Sequence, residues 1–106
     1  MRIAFLDLSL QREIRNAKRI LTEKNIKLYP NPVTTTGKIA YKSTADGLLS
    51  WKIINSVGQL IKANQLTVKK DEYYIIELGN MELVPRGKYF IVYQNGNEQG
   101  TLPFIK

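Results

Sequence analysis

Residues 51–61 read WKIINSVGQLI, and this stretch decides the fold of the chain. Trp51 and Ile53 alternate with residues on the other face, which is the period of two typical of a strand. The letters NSVG that follow suit a type I turn closed by a bulge, because Asn starts turns and Gly58 readily adopts positive φ. The apolar pattern resumes at Leu60. The stretch therefore predicts a β-hairpin.

Working outward, the period of two continues to the end of the chain. Asn95-Gly96 predicts a second hairpin, with a type I′ turn whose two central residues have positive φ. Pro103 lacks a donor, so the last strand is expected at a sheet edge or with the missing donor of Pro103 turned outward. The predicted strands are 26–29, 37–42, 49–55, 59–65, 72–78, 88–93 and 100–105. Seven short strands at this spacing predict a mainly β fold, an Ig-like antiparallel β-sandwich.

Like-facing apolar and aromatic positions in these strands are expected to form the core. They are Trp51, Ile53, Tyr74, Ile76, Tyr89, Ile91 and Phe104. The alternative use of such aromatics is a sugar-stacking platform, and this interpretation would gain if several tyrosines lay flat on one exposed face.

Before the strands, residues 1–26 form a basic extension, and residues 27–106 form the sandwich domain. Leu10, Ile14, Ala17 and Leu21 recur at helical spacing after Ser9, a suitable N-cap, which predicts a short amphipathic helix over about residues 9–24. The helix could pack on the sandwich, bind a membrane surface or nucleic acid, or be the remnant of a preceding region. We interpret its polar side as a solvated basic face.

The amino-acid composition excludes several classes of function. The 106 residues include sixteen Lys and Arg against nine Asp and Glu, and the net charge of +7 favours acidic partners. The absence of His and Cys excludes catalytic thiols, Ser-His-Asp triads, zinc fingers and disulfides. We expect no catalytic residue, cofactor or metal. The chain lacks an apolar run long enough to insert in a membrane, and Asp7 interrupts its apolar start too early for a secretory signal.

Three segments, in order, resemble the type A C-terminal sorting domain of the type IX secretion system, found on cargo proteins of the Bacteroidetes group. The first is residues 28–32 (LYPNP), the second is residues 51–61, and the third is residues 83–92, which end GKYFIV and precede a short terminal strand. The resemblance covers about residues 27–106. The motif and expected recognition residues are Tyr29, Pro30, Asn31, Pro32, Gly58, Gly87, Tyr89, Thr101, Phe104, Ile105 and Lys106.

The resemblance implies a non-catalytic sorting signal that follows a cargo protein. The precursor would cross the inner membrane by the general route, pass the periplasm, and reach the cell surface or the exterior through the outer-membrane translocon. A sortase-like peptidase would cut just before Tyr29. The strand holding Gly87 and the terminal strand from Thr101 to Lys106 are expected to be recognised, with Lys106 steering toward an acidic partner.

The motif residues also have purely local explanations. Pro30 and Pro32 make a stiff elbow that Tyr29 anchors, and the two motif glycines supply backbone conformations. A rival function is a free-standing Ig-like module that binds polysaccharide or, with less support because stacking aromatics are missing from the basic helix, nucleic acid. We expect no nucleic-acid partner. The oligomeric state stays open: edge strands and the helix suit a homodimer, or the helix covers part of its own sandwich.

Overall fold

The computed structural model describes residues 14–21 and 24–106. It contains one helical segment at residues 14–20, called α1 here, followed by seven strands. The strands are β1 (Ile26–Tyr29), β2 (Lys38–Lys42), β3 (Gly47–Asn55), β4 (Leu60–Val68), β5 (Tyr73–Glu77), β6 (Lys88–Asn95) and β7 (Glu98–Ile105). The predicted fold class, a mainly β sandwich of seven strands after a short helix, is confirmed.

The strands form two antiparallel sheets. One has the order β1-β2-β5 and the other has the order β4-β3-β6-β7. In the constant-type immunoglobulin sandwich the fourth strand joins the sheet of the first, second and fifth. Here β4 pairs with β3 instead, because the short turn after Asn55 folds it back on its own sheet. β7 is an edge strand, as Pro103 predicted.

The first predicted hairpin is present, and it is longer than expected. The β3–β4 ladder runs from the turn to the pair Gly47↔Val68, with a register shift between Ile53 and Ile54. In the turn, the Gly58 N–H donates to the Asn55 carbonyl at 3.0 Å, and Gly58 has φ of 85°.

The second predicted turn is wrong in its details. Asn95 belongs to β6 and pairs with Glu98, so the central residues are Gly96 and Asn97. Only Gly96 has positive φ, at 61°. A positive φ at the first central residue alone is the pattern of a type II′ turn, which requires Gly there. The Asn95 side chain is buried in a polar network, which holds this residue in the strand.

The core lies between the sheets and contains six of the seven predicted residues. Tyr74 packs against the core but is half-buried, because its hydroxyl lies at the rim, where it contacts Lys69 and Glu72. The buried cluster is Ile26, Leu28, Val33, Ile39, Tyr41, Leu49, Trp51, Ile53, Val68, Ile76, Leu78, Met81, Tyr89, Ile91 and Phe104.

α1 ends earlier than the predicted helix and packs on its own sandwich. It ends at residue 20, while residues 9–13 and 22–23 of the prediction lie outside the described residues. Ala17 is fully buried, whereas Ile14 is exposed. Ala40 points to the outer side of the three-stranded sheet and is nevertheless fully buried. Together with the ammonium of Lys18, 5.4 Å from the centre of the Tyr73 ring, this places α1 on that outer face.

Within residues 14–21 and 24–106, no helix has the length and apolar character needed to cross a bilayer.

Candidate functional site

Two of the three motif segments meet at one end of the sandwich, called the carboxyl end here. β1 ends at Tyr29, β6 begins at Lys88 and β7 ends at Ile105. The register places Lys88 beside Ile105, and a hydrogen bond joins Val33 to Ile105. The fold thus brings together residues about 75 positions apart in sequence that the sequence analysis had treated as separate motifs.

The elbow after β1 holds the last residues of β7. The Ile105 N–H donates to Asn31 Oδ1 at 3.2 Å, and the Val33 N–H donates to the Ile105 carbonyl at 2.7 Å. The elbow therefore supplies hydrogen-bond partners along the free edge of β7. Both peptide bonds that precede the elbow prolines, Tyr29–Pro30 and Asn31–Pro32, are cis.

The other side of the terminus is paired with the start of β6. The Gly87 N–H donates to the Lys106 carbonyl at 3.0 Å, and the Lys106 N–H donates to the Gly87 carbonyl at 2.9 Å. Because this pair is hydrogen-bonded toward β6, alternate residues Ile105 and Pro103 direct their backbone groups to the free edge. We call Asn31, Val33, Gly87, Ile105 and Lys106 the C-terminal clamp.

The Lys106 side chain adds a third attachment. Its Nζ donates to the Val84 carbonyl at 2.7 Å and lies 3.5 Å from the Glu82 carbonyl. The ammonium therefore fastens the connection between β5 and β6 to the terminus, in addition to carrying a charge at this end. Beside it, a hollow of about 460 Å³ is lined by Pro32, Val33, Thr34, Thr35, Glu82, Arg86, Ile105 and Lys106.

Two expected recognition residues are internal. Tyr89 is 5% exposed and Phe104 is 1% exposed, and their rings stack at a centroid distance of 5.6 Å. The Tyr89 hydroxyl donates to the Pro85 carbonyl. Buried rings cannot contact a partner of the folded domain. These two aromatics therefore have a packing role at the carboxyl end.

The surface positions of the motif are the elbow and the outer side of β7. Pro30, Asn31, Pro32 and Thr101 are exposed, and Ile105 is 46% exposed. Tyr29 is half-buried, and burial raises the pKa of its phenol. The ring of Tyr29 is therefore partly withdrawn from water.

Gly58 lies outside the clamp. The register sets Asn55 level with Tyr89, so the β3–β4 turn is at the carboxyl end, but a Cβ on Gly58 would face open space. Asn55 Oδ1 accepts the N–H groups of Val57 and Gln59, so the turn is stabilised within itself. This placement agrees with a backbone role for Gly58.

Sequence reasoning missed Val33 and the connection that Lys106 contacts. Val33 is 2% exposed and follows the second elbow proline. Its apolar character beside the motif was a signal for burial, but a backbone bond to Ile105 leaves no trace in residue type. The Val84 carbonyl is likewise invisible to a search of side chains.

A polar network at the opposite end was also missed. Glu98 accepts from the Tyr41 hydroxyl at 2.6 Å, from Asn25 Nδ2 at 2.6 Å and from Thr44 Oγ1 at 3.0 Å. Asn95 Nδ2 donates to the Tyr41 oxygen at 2.9 Å. Burial, and secondarily the Glu98 carboxylate, raises the pKa of Tyr41. The network ties the start of β1 to both sheets.

The tyrosines do not form the exposed platform that a sugar-binding module would need. Tyr41 and Tyr89 are buried. The Tyr73 ring has the ammonium groups of Lys18 and Lys42 at 5.4 and 5.6 Å from its centre and lies on the other side of the domain from β6 and β7. No observation on the described residues therefore favours the polysaccharide alternative.

Comparison with known proteins gives two matches. The chain is 29% identical over 91 residues to "DNA-directed RNA polymerase I subunit rpa2" of Dictyostelium discoideum. That match covers 83% of this chain and 8% of the polymerase subunit, so the chain spans a small part of that relative's length. Similarity over so small a part of the subunit carries no inference about polymerase activity.

The second match is to a family. The family model described as "Secretion system C-terminal sorting domain" matches residues 27–106. The match contains the elbow, the β3–β4 hairpin, the β6 motif and the terminal strand, which are the segments on which the resemblance depends. The chain therefore belongs to the family of C-terminal sorting domains of type IX secretion.

Proposed function

We propose that this domain is a non-catalytic signal that directs a cargo attached before it through the type IX outer-membrane translocon. The C-terminal clamp is the observation that supports the proposal. Asn31 and Val33 share hydrogen bonds with Ile105, so the motif at the start of the domain and the strand at its end present one surface. A partner can then recognise the folded carboxyl end, largely through backbone and turn geometry.

The surface to test consists of the exposed side chains of β7. Deleting residues 101–106 would also remove Phe104 from the core and unfold the domain, so substitutions separate recognition from folding better. We choose Thr101→Glu with Ile105→Glu, because both side chains are exposed. Leu48→Glu with Thr67→Glu is the matched control: Leu48 is 48% exposed against 46% for Ile105, and the pair lies at the other end of the sandwich.

The assay is export of a cargo fusion in a host with this secretion system. The β7 variant should accumulate in the periplasm, whereas the control variant should be exported like the unaltered fusion. Circular dichroism of the isolated domains checks that both variants fold. Equal export of the two variants would contradict recognition through the outer side of β7.

We further propose that the peptidase cuts before Asn25. The family resemblance implies a cut just before Tyr29, but that segment is β1, which is paired with β2 and has Ile26 and Leu28 buried. Asn25 is already anchored, since its Nδ2 donates to Glu98 at 2.6 Å and to the Lys42 carbonyl at 3.2 Å. A protease needs an extended, accessible segment, and the paired, half-buried β1 does not offer one, so we place the cut ahead of this anchor.

The mass of the released domain tests the position of the cut. We expect a fragment that begins at residue 25 or earlier. A fragment that begins inside β1 would show that the strand leaves the sheet before cleavage, and it would overturn this placement without affecting the sorting role.

A further inference from the structure

One side of the domain concentrates positive charge. It consists of α1 with the residue pair that leads to β1, and of the outer face of the three-stranded sheet. We call its cations the basic face: Arg15, Lys18, Arg19, Lys24, Lys27, Lys38 and Lys42. The sequence places only part of this set in the basic extension, and the fold adds Lys27 of β1 and the two lysines of β2.

Strand alternation and register create the basic face. Lys38 and Lys42 are four residues apart on β2 and therefore point to the same side. Lys27 on β1 pairs with Ala40, the residue midway between them, and shares that side. Because α1 covers Ala40, the cations of the helix and of the sheet form one continuous surface.

Among residues 14–21 and 24–106, few carboxylates lie on the same side as these cations. Among the outward positions of β1, β2 and β5, Glu77 is the one carboxylate. In the described part of the chain, Arg19 donates to Asn16 at 2.8 Å, and the ammonium groups of Lys18 and Lys42 lie 5.4 and 5.6 Å from the centre of the Tyr73 ring. None of the seven cations donates to a carboxylate there. Their mutual repulsion is unfavourable until an anion approaches.

The opposite side of the sandwich provides a contrast. Outward positions of the four-stranded sheet are mostly neutral, and they carry the cations Lys52 and Lys88. The positive charge is thus distributed unevenly between the two faces, which gives the domain an electric dipole.

We propose that the basic face binds the surface of an anionic bilayer, without insertion. Five of its seven cations are lysines, which are compact charges on flexible stems and match a dense, mobile layer of lipid phosphates. Clusters of four to eight such cations are typical of anionic-lipid binding. Single-stranded nucleic acid would need an open aromatic ring for stacking, and both ammonium groups already cover Tyr73.

Vesicle binding tests the proposal with a matched pair of variants. The probe is a vesicle of phosphatidylglycerol and phosphatidylcholine, with phosphatidylcholine alone as the neutral reference, and the whole chain is titrated at about 0.1 M salt. Lys27→Gln with Lys42→Gln removes two charges from the basic face. Lys52→Gln with Lys88→Gln removes two charges from the opposite face and leaves the same net charge.

The expected outcome is a difference between the two variants. Each lysine near an anionic surface strengthens binding several-fold, so the loss of two lysines should weaken binding about thirtyfold. The opposite-face variant should bind within about threefold of the unaltered chain, because the shortest dimension of the domain is 24 Å and charges beyond the Debye length of about 10 Å are screened. Added salt should release the chain.

Other outcomes would overturn the proposal. These are equal losses in the two variants, no binding to the anionic vesicles at about 0.1 M salt, or equal binding to neutral vesicles. Binding of duplex DNA that is tighter than vesicle binding and is lost in the basic-face variant would assign the face to nucleic acid instead. If thermal unfolding shows that the Lys42 variant is unfolded, Arg15→Gln with Lys24→Gln replaces it, since both are exposed. The vesicles contain no secretion machinery, so this result is independent of the sorting role.

Discussion

Replacing Asn31 with Ala tests whether the elbow motif stabilises the end of the chain. The substitution removes the acceptor of the Ile105 N–H, whose nitrogen lies 3.2 Å from Asn31 Oδ1. Both residues are exposed, so water can hydrate the freed N–H, and the loss should be at the lower end of the range for a neutral hydrogen bond, about 0.5–1 kcal/mol. The bond from Val33 to the Ile105 carbonyl, 2.7 Å long, remains and should keep the strand end in place.

Amide hydrogen exchange measures this effect at the affected residue. A loss of about 0.5–1 kcal/mol corresponds to a two- to fivefold faster exchange of the Ile105 amide. The midpoint of thermal unfolding should fall by about 2–8 °C if the terminal residues open together with the domain, and less if they fray alone. The same variant should lower export of a cargo fusion, because the elbow and the terminal strand form one surface.

Asn64→Ala is the matched control. Asn64 Oδ1 accepts the Gln65 N–H at 2.8 Å on the edge strand β4, so this change also removes one exposed side-chain cap. It should accelerate exchange at Gln65 and leave Ile105 unchanged. An unchanged Ile105 rate in Asn31→Ala, or an equal acceleration by Asn64→Ala, would refute the link between the elbow and the terminus.

Three further predictions concern the interior. Tyr41→Phe should lower the free energy of unfolding by about 1.5–3 kcal/mol in urea titration, because it removes the charge-assisted hydrogen bond to Glu98 together with the oxygen that accepts from Asn95 Nδ2. A loss below about 0.5 kcal/mol would contradict a stabilising role for this hydroxyl. The free energy of unfolding should fall as the pH rises above 10.0, the ordinary pKa of tyrosine. The raised pKa of Tyr41 in the folded state keeps its proton bound, while the phenol of the unfolded chain ionises. Chemical denaturation across this pH range should show a smaller fall for Tyr41→Phe. Gly100→Ala should lower the free energy of unfolding by about 1–3 kcal/mol, because its Cβ would lie 2.5 Å from the Tyr93 hydroxyl. The Cβ of Gly58→Ala meets no neighbour, so this variant should lose about 1 kcal/mol through its positive φ alone. Similar losses of the two variants in thermal denaturation would argue against the clash at Gly100.

The fold could be predicted from local signals. The period of two around Trp51 and the NSVG turn specify a hairpin before any long-range contact is known, because alternation and positive φ are properties of neighbouring residues. Pro103 placed the last strand at an edge for a similar reason, since a missing donor is visible in residue type. The family motifs could be recognised because their order and spacing are properties of the sequence itself.

Tertiary structure decided what the motifs do together. Asn95 had the features of a turn residue, but its amide lies in a buried network with Tyr41, which the neighbouring residues in the sequence cannot show. The bond between Val33 and Ile105 joins two backbones, and Lys106 binds a backbone carbonyl, so residue identity alone does not reveal the clamp. The basic face likewise needed β2 to bring its lysines to the same side of the domain as α1. Sequence periodicity determines which side of a strand is apolar, whereas packing of distant segments determines which strand ends and which charges meet.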